Sequence, residues 1–389
     1  MAMRILLATL ALLSLVLNGW QWWAARRFPL HRRGKTSRAL PGVTLLKPLK
    51  GRDGETARCL ASWLTQDYAG PLQILFGVAS LTDPVCEVVR GLLAAHPERD
   101  ARLVNCDQAL GINAKVSTLI QLEPQVQHPV LIVSDADVRV PADLVANVLA
   151  PFDDASVGLV HCFYRLANPR TSAMRWEAVA INADFWSQVL QGQTLWPLDY
   201  ALGAVMATTR RHMDGIGGFA AIKDYLADDY QLGRLIAQRG AKIVLSPVVV
   251  ECCSTPMGWT QVWEHQLRWA RTIRACKPWP YAFSLLSNAT LWPLLWLAAW
   301  PVPAVALTVI LMAILRLATA LDLQRRLTCS AAPIRFGWLV WIKDLAQAGL
   351  WTMSFMGKEV EWRGERYRIQ PGGTLRKKAD QPSSDHPLR

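Results

Sequence analysis

The chain has 389 residues, of which 52% are hydrophobic and 18 are Trp, and its mean hydropathy is +0.16. This length and composition predict one large globular domain together with membrane segments, and they argue against a purely soluble protein. The 42 Lys and Arg against 30 Asp and Glu give a net charge of +12, which suits nucleic acid, anionic lipid or an anionic small substrate as a partner.

The N-terminus carries an apolar segment. Residues 5–23, ILLATLALLSLVLNGWQWW, have roughly the 20 residues that a bilayer crossing needs, so we predict a transmembrane helix over residues 1–25. A cleaved signal peptide is the competing interpretation, but the segment is long and ends in bulky Trp instead of a small-residue cleavage site. A basic linker over residues 26–40 follows, and its positive charge favours the cytoplasmic side.

Residues 41–280 alternate between predicted strands and helices. The stretches GVTLLKPLKG, which runs into a loop, LQILFGVAS, ARLVNCD and VLIVSDAD are typical of strands, whereas CLASWLTQD, PVCEVVRGLLAAHP and KVSTLIQLEPQV are helical. This order predicts an α/β fold with a mainly parallel sheet, whose ligands bind beyond the carboxyl ends of the strands. Those loops contain no G-x-G-x-x-G or P-loop pattern, which weakens the dinucleotide-binding and NTPase interpretations. The eight Cys show no metal-ligand spacing and favour a reducing, cytosolic domain.

The loops after the predicted strands carry lysines and carboxylates. Asp135 and Asp137 directly follow VLIVS and share one face if the strand geometry continues. Two carboxylates this close repel each other unless a cation lies between them, and Mg²⁺ or Mn²⁺ joins carboxylate to phosphate oxygens. We therefore predict a metal-bridged diphosphate here, although a D-x-D pattern alone also occurs in solvated loops and helix caps. The other residues expected at this edge are Lys47, Lys50, Asp83, Asn113 and Lys115.

A second acidic pair, Asp228 and Asp229, precedes the predicted helix YQLGRLIAQR, which ends at Gly240. A carboxylate in this place can cap the helix or act as a general base. The two roles are compatible for different members of the pair.

The C-terminal region returns to the membrane. Residues 281–322 are too long for one crossing and are interrupted by Pro301 and Pro303, which predicts a transmembrane hairpin. Residues 323–357 are ambiguous because Lys343 and Asp344 lie in an apolar stretch. This segment either lies along the interface or packs the two charges inside the bundle. The basic tail, residues 358–389, favours a cytosolic end and slightly favours the interfacial interpretation.

Several motifs together resemble the ceramide glucosyltransferase family of membrane-bound, inverting GT-A enzymes. They are GVTLLKPLKG, ARLVNCDQALGINAKVSTLIQL, SDADVRVP, GLVHCFYR, GGFAAIKDYLADDYQLGRLIAQRG and HQLRWART, in the family's order and between similar membrane segments. The family includes bacterial members that act on ceramides and others that add N-acetylglucosamine to hopanoids. The resemblance implies a GT-A domain in the cytosol, an inner-membrane protein, a UDP-sugar donor, a ceramide or hopanoid acceptor, and no nucleic-acid partner.

The resemblance also implies residue roles. Asp135 corresponds to the family's nucleotide-sugar carboxylate, with Asp137 as a less constant companion, and Asp229 falls where the family places its catalytic base. HQLRW fills the place of the Q/R-x-x-R-W motif. Arg268 is therefore expected to neutralise the diphosphate and Trp269 to form an apolar wall. The alternative for this stretch is an interfacial helix with a snorkelling Arg and an anchoring Trp.

Two departures from the family's pattern concern recognition. His265 stands where Gln or Arg is usual, and Ser80 aligns with the family's first Asp, while Asp83 lies three residues later. The uridine contact is therefore expected from Asp83 in a shifted loop or from a neutral hydrogen bond of Ser80. Asn113 and Lys115 match the family's G-x-N-x-K stretch and are expected near phosphate.

The acceptor cleft is the last expected feature. His161, His265 and Asp228 are candidates to line it, with a hydrogen-bonded core histidine as the alternative for His161. The stretch WEAVAINADFWSQVL, which contains Glu177, is predicted as an interfacial helix at a lipid entrance, with core packing as the alternative.

Three functions fit the sequence. The first is sugar transfer from a UDP-sugar to a membrane lipid, with UDP-glucose and ceramide favoured and UDP-N-acetylglucosamine and a hopanoid as the alternative. A processive polysaccharide synthase would need a larger membrane bundle than the about three or four segments expected here. An inactive lipid-binding homologue is permitted by Ser80 but is disfavoured by the presence of Asp135, Asp229 and Arg268.

Overall fold

The structure, a computed structural model, describes residues 1–34, 40–331, 335–362 and 365–377. The helices are α1 (Ala2–Arg27), α2 (Thr56–Leu64), α3 (Val85–Ala95), α4 (Ala114–Leu122), α5 (Leu144–Leu149), α6 (Ser172–Val179), α7 (Trp186–Gln193), α8 (Arg210–Ile216), α9 (Asp228–Gln238), α10 (Trp259–Cys276), α11 (Pro278–Phe283), α12 (Leu291–Ala299), α13 (Pro303–Thr328) and α14 (Leu339–Phe355). The strands are β1 (Val43–Leu49), β2 (Leu72–Val78), β3 (Asp100–Asn105), β4 (Val130–Ser134), β5 (Val138–Arg139), β6 (Val157–Leu166), β7 (Val205–Thr209), β8 (Lys242–Cys252), β9 (Glu359–Trp362), β10 (Glu365–Ile369) and β11 (Leu375–Lys377).

The main sheet has the strand order β3-β2-β1-β4-β7-β6-β8-β5. The first four of these strands are parallel, as the sequence predicts, whereas β7 runs antiparallel to β4 and β6. The strands are apolar on both faces because helices cover both sides. Leu45 and Leu46, adjacent in β1, accordingly pack into two different cores. The carboxyl ends of β1, β2 and β4 meet at one edge, which carries the candidate site.

Two described helices, α1 and α13, are long and apolar enough to cross a membrane. The predicted hairpin over residues 281–322 is less regular than expected, because α11 with the turn Ser284–Ser287 meets α12 at a bend of 53°. Asn288 lies at the bend, and its side-chain oxygen accepts hydrogen bonds from the backbone N of Thr290 and Leu291. This side-chain cap starts a new helix instead of continuing the old one.

A cluster of buried charges lies inside the helical bundle formed by α1, α12, α13 and α14. Lys343 and Asp344 of α14 are buried beside Arg316 of α13. The Arg316 guanidinium donates to Asp344 at 2.9 Å and to Asp184 at 2.7 Å, and Lys343 also pairs with Asp184. The structure therefore packs these charges together within the bundle, and the interfacial interpretation of residues 323–357 does not fit their burial.

The segment of residues 172–193 also differs from the prediction of an interfacial helix. It is formed by α6, a π-helical stretch over Ala180–Phe185, and α7. Trp176, Glu177 and Trp186 are all buried. Core packing, the alternative interpretation, is the arrangement that the structure has.

Part of the predicted basic tail is folded. Strands β9, β10 and β11 form an antiparallel sheet, and Tyr367, Ile369 and Leu375 from it pack against Leu226. Apolar and charged residues alternate in ERYRI, so one face of β10 is apolar. Residues 359–362 and 365–377 of the predicted basic tail therefore form a folded sheet, which the charge count alone did not indicate, and residues 363–364 and 378–389 lie outside the described residues.

Candidate active site

Lys115 joins the two acidic pairs that the sequence singled out. Its ammonium lies 2.7 Å from a carboxylate oxygen of Asp135 and 2.8 Å from one of Asp228. Burial alone would lower the pKa of Lys115, but the two carboxylates outweigh burial and hold that pKa well above its usual value. Lys115 therefore stays charged, and its two ion pairs link the loop after β4 to the N-terminus of α9.

Asp229 is the neighbour of the paired Asp228, but its environment is different. Its side-chain oxygen accepts a hydrogen bond from the Tyr230 backbone N at 2.8 Å. A Cβ atom on Gly203 would come within 3.0 Å of the other carboxylate oxygen, so only glycine fits against this carboxylate without a shift. Burial and the charge of Asp228 raise the pKa of Asp229 to about 7. A carboxylate with this pKa can accept a proton near neutral pH.

Asp137 lies two residues after Asp135 in the turn between β4 and β5 and is exposed to solvent. Desolvation by the cleft walls and the charge of Asp135 raise the pKa of Asp137 to about 6, against the opposing effect of Lys47. The described residues contain no group of three or more His, Cys, Asp or Glu side chains arranged around a metal. Mg²⁺ commonly uses one or two carboxylates and completes its shell with phosphate oxygens and water, so this donor set fits a cation that arrives with a diphosphate.

Lys47 lies beneath the D-x-D loop, away from the cleft. Its fully buried ammonium donates to the Ser134 hydroxyl at 3.3 Å and to the Asp135 carbonyl, and it lies 5.3 Å from the centre of the Trp63 ring. Burial lowers the pKa of Lys47 to about 8. The structure therefore assigns Lys47 to support of the loop and not to direct nucleotide contact, whereas Lys50 is exposed.

The loop after β2, which was expected to contact uridine, is hydrogen-bonded to the loop after β1. Both carboxylate oxygens of Asp83 accept a hydrogen bond from the Gly51 backbone N, at 2.9 and 3.0 Å, and one also accepts from Val85 N at the start of α3. Gly51 has a φ of +69°, which glycine adopts without strain. Ser80 is exposed, and its hydroxyl lies 2.7 Å from that of Thr82. A uridine contact from Ser80 or Asp83 stays a prediction.

The α10 helix brings His265 and Trp269 to the cleft side. The His265 imidazole lies 2.7 Å from a carboxylate oxygen of buried Glu177, which also accepts from Gln266 at 2.8 Å. The rings of His265 and Trp269 are 4.6 Å apart. Arg268 lies on the same helix and is partly buried.

Three predicted site residues have other roles in this structure. Asn113 is buried and caps α4, accepting from Val116 N at 3.2 Å and donating to the Tyr225 carbonyl at 2.8 Å, so its side chain holds loops together. His161 is fully buried and accepts from Leu202 N at 3.2 Å, and burial lowers its pKa to about 3. The core interpretation therefore replaces the acceptor-cleft interpretation for His161. Asp228, also predicted in that cleft, is buried against Lys115 as described above.

Sequence reasoning missed the support of the loop that leads to Asp229. On one side the Leu375 backbone N of β11 donates to the Asp224 carbonyl at 2.7 Å, and Leu226 N donates to the Gly373 carbonyl at 3.2 Å. On the other side Asn113 holds Tyr225. The C-terminal sheet is therefore one wall of the candidate site, and nothing in the local spacing of residues 359–377 indicates this.

Comparison with known proteins indicates the family and the fold. The model of glycosyl transferase family 21 matches residues 6–375. Ceramide glucosyltransferase 3 of Caenorhabditis elegans is 26% identical over 223 residues, which are 57% of this chain and 48% of that protein. The ceramide glucosyltransferase of Candida albicans is 32% identical over 117 residues, 27% of this chain and 22% of that protein. The matched region thus spans about half or less of these relatives.

A solved structure is similar over most of its length. It is a mannosyltransferase from Pyrobaculum calidifontis in complex with GDP-Man and Mn²⁺, with 23% identity and a TM-score of 0.55, covering 89% of this chain and 99% of that one. This likeness confirms the GT-A fold that the sequence motifs imply.

Proposed function

The chain belongs to glycosyl transferase family 21, and on that premise we propose that it is an inverting enzyme that moves a sugar from a UDP-sugar to the hydroxyl of a membrane lipid. One observation carries the proposal. Lys115 joins Asp135 and Asp228, so the predicted diphosphate site and Asp229 lie in the same cleft. A donor-side carboxylate and a proton-accepting carboxylate are the two groups that inverting transfer requires.

In the proposed reaction Asp229 accepts the proton of the lipid hydroxyl as its oxygen attacks the anomeric carbon. The oxygen approaches from the face opposite the leaving UDP, and the C–O bond to UDP breaks as the new glycosidic bond forms. The raised pKa of Asp229 makes it a stronger base than an ordinary carboxylate. Asp135 and Asp137 would hold Mg²⁺ or Mn²⁺, which, when bound, neutralises the diphosphate, and Arg268 adds positive charge from α10.

The favoured pair of substrates is UDP-glucose and ceramide. The relatives named ceramide glucosyltransferase support this choice, and UDP-N-acetylglucosamine with a hopanoid is the alternative within the same reaction class. The two apolar helices support a membrane location. We further propose an inner-membrane protein with its GT-A domain in the cytosol, because basic residues follow α1 and end α13.

The test is expression in a host that lacks glycolipids, supplied with ceramide or bacteriohopanetetrol, followed by lipid extraction and mass spectrometry. A hexose or N-acetylhexosamine added to either lipid identifies the donor and the acceptor. Excess EDTA should abolish the product in isolated membranes. A chain that glycosylates neither lipid, or that is fully active in EDTA, contradicts the substrate class or the metal assignment, respectively.

The roles of the two acids are separated by binding measurements. Asp229→Asn should abolish transfer yet retain metal-dependent UDP binding, since a base acts mainly in the transition state. Asp135→Asn should weaken that binding as well. If calorimetry shows equal losses of UDP affinity, then Asp229 is a nucleotide or metal contact and not the base.

A further inference from the structure

Residues 194–203 connect α7 to β7, and they begin beside the helical bundle, next to the middle of α1. The Gln191 side-chain amide near the end of α7 donates to the Leu17 carbonyl of α1 at 3.3 Å. Leu17 lies nine residues before Arg26. At a rise of 1.5 Å per residue, this contact is roughly 14 Å from the basic end of α1.

The buried charge cluster lies at the same distance from the basic helix ends, which is an independent observation. Arg316 lies nine residues before Arg325 in α13, again roughly 14 Å from the basic end of its helix. The two basic ends coincide, since the Arg326 guanidinium donates to the Arg26 carbonyl at 3.2 Å. Asp184 contacts Arg316, so the stretch from Asp184 to Gln191 lies well below the interface.

The chain emerging from this depth exposes large apolar side chains. Leu195 and Trp196 are 51% and 70% exposed, and Trp279 and Phe283 of α11 are 73% and 61% exposed. The two groups belong to one region, because Asp199 and Lys277 form an ion pair at 2.7 Å that links the segment to the start of α11. Helix α1 packs against both α7 and the turn that follows α11, so both groups flank the same membrane helix.

The other end of the segment reaches the candidate base. Tyr200 stacks on Tyr230 with ring centres 6.0 Å apart, and Tyr230 is the residue after Asp229. Gly203 lies directly against the Asp229 carboxylate. The Lys277 ammonium also lies 5.8 and 5.7 Å from the centres of the two tyrosine rings. Residues 194–203 therefore connect the helical bundle at their first residues to Asp229 at their last.

We propose that residues 194–203 and α11 form the entry site for the acceptor, a bilayer lipid with a free hydroxyl in its headgroup. Its chains contact Leu195, Trp196, Trp279 and Phe283, and its headgroup passes the ion pair between Asp199 and Lys277. The occupant is a bilayer lipid because the exposed side chains continue the membrane-facing surface of α1 at matching depth. The inference rests on the proposed function only in assigning the hydroxyl to sugar transfer.

The first test does not depend on turnover. A ceramide and a diacylglycerol, each with a diazirine in the acyl chain, are incorporated with the protein into phosphatidylcholine vesicles, irradiated and mapped by peptide mass spectrometry. We expect labelling of residues 194–203 and 278–283, reduced severalfold in Trp196→Asp. Labelling confined to other surfaces of the bundle, or unchanged in this variant, would overturn the entry site.

The matched control is Trp300→Asp. Trp300 is also an exposed tryptophan, but Arg4 at the start of α1 lies 5.6 Å from its ring, so it belongs to the opposite end of the bundle. This variant should leave the labelling of residues 194–203 unchanged. An equal loss of labelling in the control would show a general effect of tryptophan removal and would contradict a local site.

The second test uses kinetics to separate the two proposals. Trp196→Ala and Trp279→Ala should each raise the KM for a long-chain lipid acceptor by about tenfold, because each removes a large side chain that the bound lipid would bury. Both variants should leave UDP affinity unchanged. A wild-type chain that transfers sugar to no lipid refutes the proposed function, while the labelling still decides the entry site. Transfer with an unaltered KM in both variants refutes the entry site alone.

Discussion

Replacing Asp229 by Asn should stabilise the protein above neutral pH even though it removes the proposed base. The ordinary pKa of an Asp side chain is about 3.9, and burial with the charge of Asp228 raises that of Asp229 to about 7. The folded state therefore resists ionisation of this group. Asn keeps the shape of the side chain and can still accept from the Tyr230 backbone N.

The expected gain follows from the size and sign of the shift. Each pKa unit is worth about 1.4 kcal/mol, so ionising Asp229 above pH 7 costs the folded state about 4 kcal/mol, and its partial exposure lowers this to about 2 to 4 kcal/mol. Because the folded pKa lies above the unfolded one, this cost develops as the pH rises from about 4 to 7 and is constant above. Below pH 4 both states are protonated, and Asn should give no gain.

The assay is thermal unfolding in detergent, followed by tryptophan fluorescence at one fixed heating rate, since unfolding of such a protein is expected to be irreversible. At pH 8 the midpoint should rise on the order of 5 °C in Asp229→Asn, and the difference should shrink towards pH 4. Asp228→Asn is the control and should lower the midpoint, because it removes a partner of buried Lys115 at 2.8 Å. A destabilised Asp229→Asn variant, or a gain independent of pH, would refute the raised pKa.

Three further predictions concern the metal, the bundle and the orientation. The affinity for Mn²⁺ in the presence of UDP should fall as the pH drops below about 6, because Asp137 must lose its proton to bind; calorimetry that gives equal affinities at pH 5 and pH 7 would contradict this. Arg316→Met should destabilise the fold by about 3 to 5 kcal/mol, since it leaves the two buried aspartates, Asp184 and Asp344, with Lys343 as their one shared cation, and an unchanged thermal midpoint would show that the cluster contributes little. In a cysteine-free background, a cysteine at position 34 should resist membrane-impermeant thiol reagents in intact cells and one at position 302 should react; the reverse labelling would overturn the orientation.

The sequence predicts the order of strands and helices well because these elements depend on local periodicity. Stretches such as residues 130–133, VLIV, are apolar at every position and form buried strands of the parallel part of the sheet, as expected. The same reasoning places Asp135 and Asp137 at the end of β4. The sequence cannot show that Asp228 and Asp135 both pair with the Lys115 ammonium, because the tertiary fold brings these three residues together.

Polar residues near the site are harder to assign from the sequence. Asn113 lies in the expected loop and Lys47 lies within β1, and both side chains point into the protein and hydrogen-bond to it. Spacing along a chain does not reveal whether a polar group faces a ligand or satisfies a buried backbone group. The pairing of Glu177 with His265 was missed for the same reason, because it joins α6 to α10 across 88 residues.

The contacts around Asp229 explain what the C-terminal sheet contributes to a chain whose candidate sugar site lies in the GT-A domain. A carboxylate with a raised pKa is unfavourable in the folded state, so its position must be maintained by contacts elsewhere. The loop before it is held by Asn113 on one side and by Leu375 of β11 on the other. Arg271 and Arg274 of α10 donate to the backbone carbonyls of Glu359 and Gly357 and so attach the same sheet to the helix that carries Trp269. The proposed base, Asp229, and the proposed diphosphate-binding helix, α10, are thereby both attached to the C-terminal sheet, which fixes their positions relative to each other.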